Sequence, residues 1–213
     1  MIKVLFFDFD GTISDAHSIA FKSMVQTLDE LNYEFSRKKL LKLMGIKTHL
    51  IFKELGLDPG NVDLARRKFY KRFKKSALAG GIKLCVPVES LYELKKDYPL
   101  VVISNSRTSF IRASIKKLEL KGLFEKVYGA EKFTSKDKLL KKLFKKMKIK
   151  PSEAAYIGDR FSDIEYARDA GCVAIAIHNK CAWSDLKTIK KEKPDYIIKN
   201  FKDLKKLVKK LNS

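Results

Sequence analysis

The stretch MIKVLFFDFDGT, residues 1–12, decides the fold that we expect for this chain. Its apolar run, Val4–Phe7, has no polar interruption, which is typical of a strand buried on both faces of a sheet. Asp8 and Asp10 follow at once, and Gly11 allows the backbone to turn sharply. Two carboxylates behind a buried strand are costly unless they are paired, hydrogen-bonded or bound to a metal. The stretch therefore indicates a central strand with functional carboxylates at its end, although a capped turn also uses Asp and Gly.

Apolar runs of the same kind recur along the chain and predict the other strands. They span Leu100–Ile103, Ala154–Ile157, Val173–Ile177 and Tyr196–Ile198, with a weaker run at Phe124–Tyr128. From residue 87 onward, helical patterns separate these runs, at Val88–Asp97, Ser109–Leu118, Lys136–Lys148, Phe161–Ala170 and Lys202–Leu211. Strands that alternate with helices form βαβ units. The expected fold class is therefore α/β, with a doubly wound parallel sheet.

Residues 16–79 interrupt this alternation, because they contain helical patterns and no strand-like run. The patterns span His17–Leu31, Arg37–Leu43, His49–Leu55 and Val62–Leu78, and turn residues separate them. We therefore predict a core formed by residues 1–15 and 80–213, with a small α-helical cap, residues 16–79, inserted after the first strand. The hinges are expected near residues 14–16 and 79–82.

A second pair of carboxylates follows another predicted strand. Asp159 follows the Ala154–Ile157 run after Gly158, and Asp163 lies four residues later in the first turn of a helix, so that both side chains face the same way. With Asp8 and Asp10 they would form a cluster of hard oxygen ligands, which Mg²⁺ prefers. The pair would also suit the start of a helix, with Asp159 as the N-cap and Asp163 near the positive end of the helix dipole.

Hydroxyl, amide and ammonium groups suited to a phosphoryl group stand at two further positions. Ser104 and Asn105 end the Leu100–Ile103 run, although such a pair also begins many ordinary turns. A lysine must balance the anionic oxygens. Lys136, just before a predicted helix, is our candidate, and Lys138 is its competitor. In a chain this rich in lysine, a surface position is the alternative for either residue.

Taken in order, these motifs resemble those of the haloacid dehalogenase-like hydrolase superfamily, in particular its phosphoglycolate phosphatase and β-phosphoglucomutase branch. Asp8-Phe9-Asp10-Gly11-Thr12 matches the first motif, Ser104 the second, Lys136 the third, and Gly158-Asp159 with Asp163 the fourth. The resemblance covers nearly the whole chain and implies a Rossmann-like core with a helical cap. Family lysines in the third motif often precede a proline, whereas this chain has Asp137.

The resemblance implies a phosphatase with a carboxylate nucleophile. Asp8 would attack phosphorus and become an aspartyl phosphate. Asp10 would protonate the departing alkoxide and then activate the water that hydrolyses the intermediate. Dehalogenases of the family lack an aspartate at the position of Asp10, so carbon–halogen cleavage is disfavoured.

The same resemblance implies Mg²⁺ as the cofactor. The metal would be held by Asp8, the backbone carbonyl of Asp10, and Asp159, with Asp163 orienting the metal shell. Ser104 and Lys136, together with the metal, would stabilise charge on the phosphoryl oxygens, which is the usual dominant contribution in phosphoryl transfer.

Substrate choice would depend on the cap, and the expected substrate contacts are Lys47, Thr48 and Arg107. We expect a small phosphorylated metabolite such as phosphoglycolate. Two alternatives remain open at this point. One is a phosphosugar mutase of the same family, and the other is a nucleic-acid-binding or end-processing phosphatase.

The net charge of +21 is the one unusual feature of the composition. Clustered lysines neutralise nucleic-acid phosphates, but here they lie mostly on polar faces of amphipathic helices, so we expect solvated faces and no nucleic-acid partner. No apolar run approaches the ~18–20 residues that span a bilayer. The three cysteines share no CxxC spacing, which fits a reducing compartment. We therefore expect a cytoplasmic protein with no membrane partner.

Overall fold

A parallel sheet of six strands is the centre of the computed structural model, which describes residues 1–213. Its strands are β1 (Val4–Phe7), β4 (Leu100–Ile103), β5 (Lys126–Tyr128), β6 (Ala154–Gly158), β7 (Val173–Ile177) and β8 (Tyr196–Ile198). Their order in the sheet is β5-β4-β1-β6-β7-β8, and every neighbouring pair is parallel. All the predicted strands are confirmed. The order reverses beside β1, and open α/β sheets bind ligands at the carboxyl ends of the strands there.

Successive side chains of each inner strand face opposite sides of the sheet, which explains their unbroken apolar sequences. In β1, Leu5 and Phe7 pack in one hydrophobic cluster, and Val4 and Phe6 pack in the other. Three helices cover the first side, namely α5 (Glu89–Leu94), α6 (Thr108–Lys117) and α10 (Phe201–Asn212). The second side is covered by α7 (Lys136–Met147), α8 (Phe161–Ala170) and α9 (Leu186–Lys191). The doubly wound fold is therefore confirmed.

Four helices and one turn lie between β1 and α5, and we call these residues, 17–81, the helical insertion. They are α1 (His17–Glu30), α2 (Arg37–Leu43), α3 (Thr48–Leu55), α4 (Pro59–Ser76) and a π-helical turn (Ala77–Gly81). Their apolar faces form a cluster of their own, which Phe110 of α6 joins by stacking on Phe73 at 4.2 Å between ring centroids. The proposed division into core and cap, with its boundaries, stays a prediction.

The two ends of the helical insertion meet in a short antiparallel ribbon. It consists of β2 (Ser14–Asp15) and β3 (Lys83–Leu84), with Ser14 opposite Leu84 and Asp15 opposite Lys83. The ribbon was not predicted, because strands of two residues leave no periodic pattern in a sequence. Strand β2 lies within the first expected hinge, residues 14–16, and β3 follows directly after the second, residues 79–82.

Three helix assignments differ from the sequence-based ones. Helix α4 begins at Pro59 rather than Val62, because proline suits the first helical position. Helix α5 ends at Leu94, three residues before the predicted end. Helix α9 was missed, since its lysine-rich sequence LKTIKK shows little apolar period; the Asp185 side chain caps it by accepting from the Thr188 N–H at 2.9 Å.

The structure places lysines on the solvent-exposed faces of amphipathic helices, as expected. On α7, the four lysines at 141, 142, 145 and 146 are exposed, while Leu140 and Leu143 are buried. None of the helices has the combination of length and apolar character that crossing a membrane requires.

Candidate active site

The predicted site residues lie together at the carboxyl edge of the sheet. Asp8, Ser104 and Asp159 each follow the last residue of a neighbouring strand, namely β1, β4 and β6. The backbone N–H of Asp8 still donates to the carbonyl of Ile157 at 2.8 Å, so the sheet holds the first carboxylate in register with the fourth motif. All three side chains are buried.

Lys136 lies at the centre of a buried cluster that it forms with Asp8, Asp159 and Asp163. Its side chain is only 2% exposed, and its Nζ donates to Asp8 Oδ1 at 3.0 Å, to Asp163 Oδ1 at 2.7 Å and to the Tyr156 hydroxyl at 2.8 Å. Burial lowers the pKa of Lys136, but the two carboxylates outweigh it and hold that pKa well above its usual value. Lys138 is exposed. The geometry therefore favours Lys136 over its competitor.

Three carboxylates converge beside this lysine. One oxygen each from Asp8, Asp159 and Asp163 lies within 4.8 Å of the others. Burial, with the charges of Asp163 and Asp10 and against the opposing effect of Lys136, raises the pKa of Asp8 to about 7. Burial, with the charges of Asp163 and Asp8, also raises the pKa of Asp159 well above its usual value. One lysine cannot neutralise three acids, and their hard oxygens suit a divalent cation.

Hydrogen bonds orient the two carboxylates of the fourth motif. Asp159 accepts from the Thr12 hydroxyl at 3.0 Å and from the Trp183 backbone N–H at 2.7 Å. Asp163 accepts from the Arg160 N–H at 3.1 Å, at the start of α8. The alternative in which Asp159 caps this helix is wrong, because the N-cap residue is Arg160 and Asp159 points into the cluster.

Asp10 occupies a separate position beside the cluster. Its carboxylate accepts from the hydroxyls of Ser14 at 3.1 Å and Ser106 at 2.6 Å, and it does not belong to the group of three converging acids. Burial raises the pKa of Asp10, although these hydrogen bonds lower it. A contribution of Asp10 to a metal site through its backbone carbonyl stays a prediction.

A narrow pocket joins the sheet edge to the helical insertion. Asp8, Asp10, Ser104 and Asn105 line one side, and the side chains of α1, α3 and α4 line the other. The Asn105 amide donates to the Gly45 carbonyl of the insertion at 3.0 Å. The water-accessible space in the pocket is about 40 Å³, which holds only a few water molecules. Such a pocket suits a phosphoryl group on a small leaving group.

The three predicted substrate contacts lie partly in a neighbouring pocket. Thr48 lines both pockets, whereas Lys47 and Arg107 line only the second one. The Lys47 ammonium donates to the carbonyls of Ala130, at 3.2 Å, and Phe133. Thr48 is thus the only one of the three that reaches the space beside Asp8.

Several residues of the site were not anticipated from the sequence. Tyr156, Ser106, Arg160 and Trp183 touch the cluster or line its pocket. Ser106 and Arg160 adjoin recognised motifs, and this proximity was the only available signal. Tyr156 looks like any aromatic strand residue, and Trp183 reaches the site from a loop more than twenty positions beyond Asp159, so that only the fold brings it near.

Gly158 offers a test of how tightly the cluster is packed. A Cβ atom at this position would lie 2.4 Å from Asp163 Cγ and Oδ2. We expect Gly158→Ala to displace that carboxylate from Lys136, lower turnover, and cost about 1–3 kcal/mol in the free energy of unfolding. The matched control is Gly60→Ala, where the added methyl group meets nothing within 4 Å. Urea unfolding of both variants measures the difference, and equal free energies of unfolding for Gly158→Ala and Gly60→Ala would contradict the tight packing.

Comparisons with known proteins agree with the fold. The family model described as haloacid dehalogenase-like hydrolase matches residues 5–177. This chain belongs to that family. A putative pyrophosphatase PpaX of Caldanaerobacter subterraneus is 28% identical over 98% of this chain and 95% of its own length. A phosphoglycolate phosphatase of Aquifex aeolicus is 25% identical over 97% of both chains.

Solved structures show the same fold. A predicted phosphoglycolate phosphatase from Haemophilus somnus superimposes with a TM-score of 0.83, at 21% identity, over 97% of this chain and 98% of its own. The family resemblance and the fold class are thus confirmed, and the names of the curated relatives agree with the predicted phosphoric monoester hydrolase.

Proposed function

We propose that this protein is a Mg²⁺-dependent phosphatase that hydrolyses a small phosphorylated metabolite through an aspartyl phosphate on Asp8. The observation that carries the proposal is the buried contact between Lys136 Nζ and Asp8 Oδ1, 3.0 Å long, next to Asp159 and Asp163. A lysine in this position fixes the orientation of the Asp8 carboxylate, and it is also within reach of the oxygens of a phosphoryl group bound there. This arrangement fits nucleophilic attack by one oxygen of Asp8.

Asp10 is the proposed general acid and base. Its carboxylate lies apart from the three converging acids, which leaves it available for proton transfer to the leaving group and later from water. The hydroxyls of Ser14 and Ser106 hold both of its oxygens, and one of these serines lies in the ribbon at the base of the helical insertion. Its position is therefore fixed by one serine of the ribbon and one of the loop after β4.

Asp8, Asp159 and Asp163 would hold the Mg²⁺ ion. The ion would supply positive charge for the phosphoryl oxygens, which is a large part of catalysis in phosphoryl transfer. Thr12 and the backbone of Trp183 preorganise Asp159 for this role. Ser104 and Asn105 line the same pocket, where their hydroxyl and amide could donate to the phosphoryl group.

The names of the relatives narrow the choice of substrate. One is named as a pyrophosphatase and one as a phosphoglycolate phosphatase, and the pocket beside Asp8 has room for only a small leaving group. We therefore propose diphosphate and 2-phosphoglycolate as the first substrates to assay. Phosphate release from a panel of small phosphate esters, with and without Mg²⁺, tests the function directly, and no release from any of them would refute it.

Metal removal gives a second test. We expect turnover to require Mg²⁺ and to stop in excess EDTA. A ligand present at 100 times its Kd stabilises the folded state by about 2.7 kcal/mol, so saturating Mg²⁺ should also raise the unfolding temperature. Asp159→Asn should abolish that rise, whereas the exposed Asp169→Asn on the neighbouring helix should keep it. Full turnover in excess EDTA would rule out the metal.

A further inference from the structure

The side chain of Arg160 has a position that the proposed mechanism does not explain. The residue follows Asp159 directly and is the N-cap of α8. Its side chain lines the pocket that holds Asp8 and Asp10, and the residue is only 5% exposed. A guanidinium group stays charged at all physiological pH values, so the fold keeps a full positive charge buried in this pocket.

The charge of Arg160 lacks a protein partner. Its Nε and Nη1 atoms are buried and have no hydrogen-bond acceptor. The contact that the structure does provide is the ring of Phe161, 5.5 Å from the guanidinium carbon. Burying an unpaired ion costs several kcal/mol, far more than a cation–π contact returns. A bound anion would remove this cost.

A second unpaired donor lies close by. The indole Nε1 of Trp183 is also buried without an acceptor, and Trp183 lines the same pocket. Both side chains flank Gly45, where a Cβ atom would lie 2.1 Å from Arg160 Nη1 and 2.8 Å from Trp183 Cε3. Gly45 has φ of +92° and its carbonyl accepts from Asn105. The helical insertion therefore approaches the two donors through a residue without a side chain.

We propose that Arg160, with the indole N–H of Trp183, binds a second anionic group carried by the leaving group of the substrate. This inference rests on the proposed function and deepens it. The planar fork of arginine suits a carboxylate or a phosphate, which it can bind through two parallel hydrogen bonds. Diphosphate and phosphoglycolate share this chemistry, because each joins the scissile phosphoryl group to another anion a few bonds away.

Two substrates of nearly equal size test the proposal. In 2-phosphoglycolate the leaving group ends in a carboxylate, and in ethyl phosphate a methyl group takes its place. The wild type should prefer phosphoglycolate. Arg160→Gln should lower kcat/KM for phosphoglycolate about 10- to 100-fold, the effect of losing a hydrogen bond to a charged group. Turnover of ethyl phosphate should change less than about 3-fold, since ethyl phosphate carries no second anion that Arg160 could bind.

Arg67→Gln is the matched control. It removes the same charge from an exposed position on α4 and should leave both substrates unaffected. An equal loss on both substrates in folded Arg160→Gln would assign Arg160 a structural role and overturn the proposal.

A binding measurement separates this inference from the proposed function. Calorimetric titration of Asp8→Asn, which retains Arg160 and is not expected to turn over, should show phosphoglycolate binding at least about 10-fold more tightly than ethyl phosphate. This ratio needs neither catalysis nor an Arg160 variant. Equal affinities would overturn the anion site even in an active phosphatase. A clear preference would support the site even if no ester were hydrolysed.

Discussion

Asp8→Asn is expected to lower phosphate release by at least about 1000-fold. An amide is a far poorer nucleophile than a carboxylate, and loss of the nucleophile in other covalent enzymes lowers kcat by about 10⁶-fold. The fold should survive, because asparagine has nearly the same shape and removes one of three converging negative charges. Phosphate release at saturating Mg²⁺, with a thermal unfolding curve of the same sample, measures both effects.

Trapping of the covalent intermediate completes this test. Wild-type protein quenched in acid during turnover should carry a phosphoryl group on the peptide that contains Asp8, and Asp8→Asn should carry none. Asp29→Asn, on the exposed part of α1, is the matched control and should behave as the wild type. A folded Asp8→Asn variant with normal turnover would show that another group attacks phosphorus.

Lys136→Ala is expected to lower kcat by about 100- to 1000-fold, the range seen when one donor to developing negative charge is removed from an enzyme. Lys136 contacts both Asp8 and Asp163, so the change also leaves two buried carboxylates without their cation. Breaking a buried ion pair costs about 3–5 kcal/mol, and the unfolding temperature should fall as well. Added Mg²⁺ should restore part of the stability but not the rate.

Lys138→Ala provides the comparison on the same helix. This lysine is exposed, and surface substitutions usually change stability by no more than about 0.5 kcal/mol. Both its turnover and its unfolding temperature should match the wild type. If Lys138→Ala lost turnover and Lys136→Ala kept it, the lysine of the third motif would be Lys138, two residues further along the chain.

The sheet and its helices could be predicted because their sequence patterns are local. Strands β1 and β4 read as unbroken apolar runs since both of their faces are buried, and the stripe of α7 follows from its 3.6-residue period. The ribbon of β2 and β3 could not be predicted, because its two strands are held by each other and by the packing around them. Helix α9 depends in the same way on tertiary contact, through the burial of Ile189.

The residues of the candidate site also differ in whether a local sequence pattern predicts them. Asp8, Asp159 and Asp163 belong to short motifs behind strands, and parallel strands bring their carboxyl ends to one edge. Arg160 and Trp183 carry no such pattern. Their unpaired donors become visible only after the fold has buried them side by side, because burial is a property of the whole molecule.

The ribbon at residues 14–15 and 83–84 has a consequence for how this architecture can vary. It places the entry and the exit of the helical insertion side by side, so the backbone leaves the core and returns to it at one place. The entropy cost of closing such an excursion grows only with the logarithm of its length. The excursion can therefore be lengthened, shortened or exchanged without changing the register of β1 against β4 or β6. In a substitution of this kind Asp8 and Lys136 stay in place while the side of the pocket that the insertion forms is replaced. The fold thus separates the proposed catalytic residues from the part that is free to diverge.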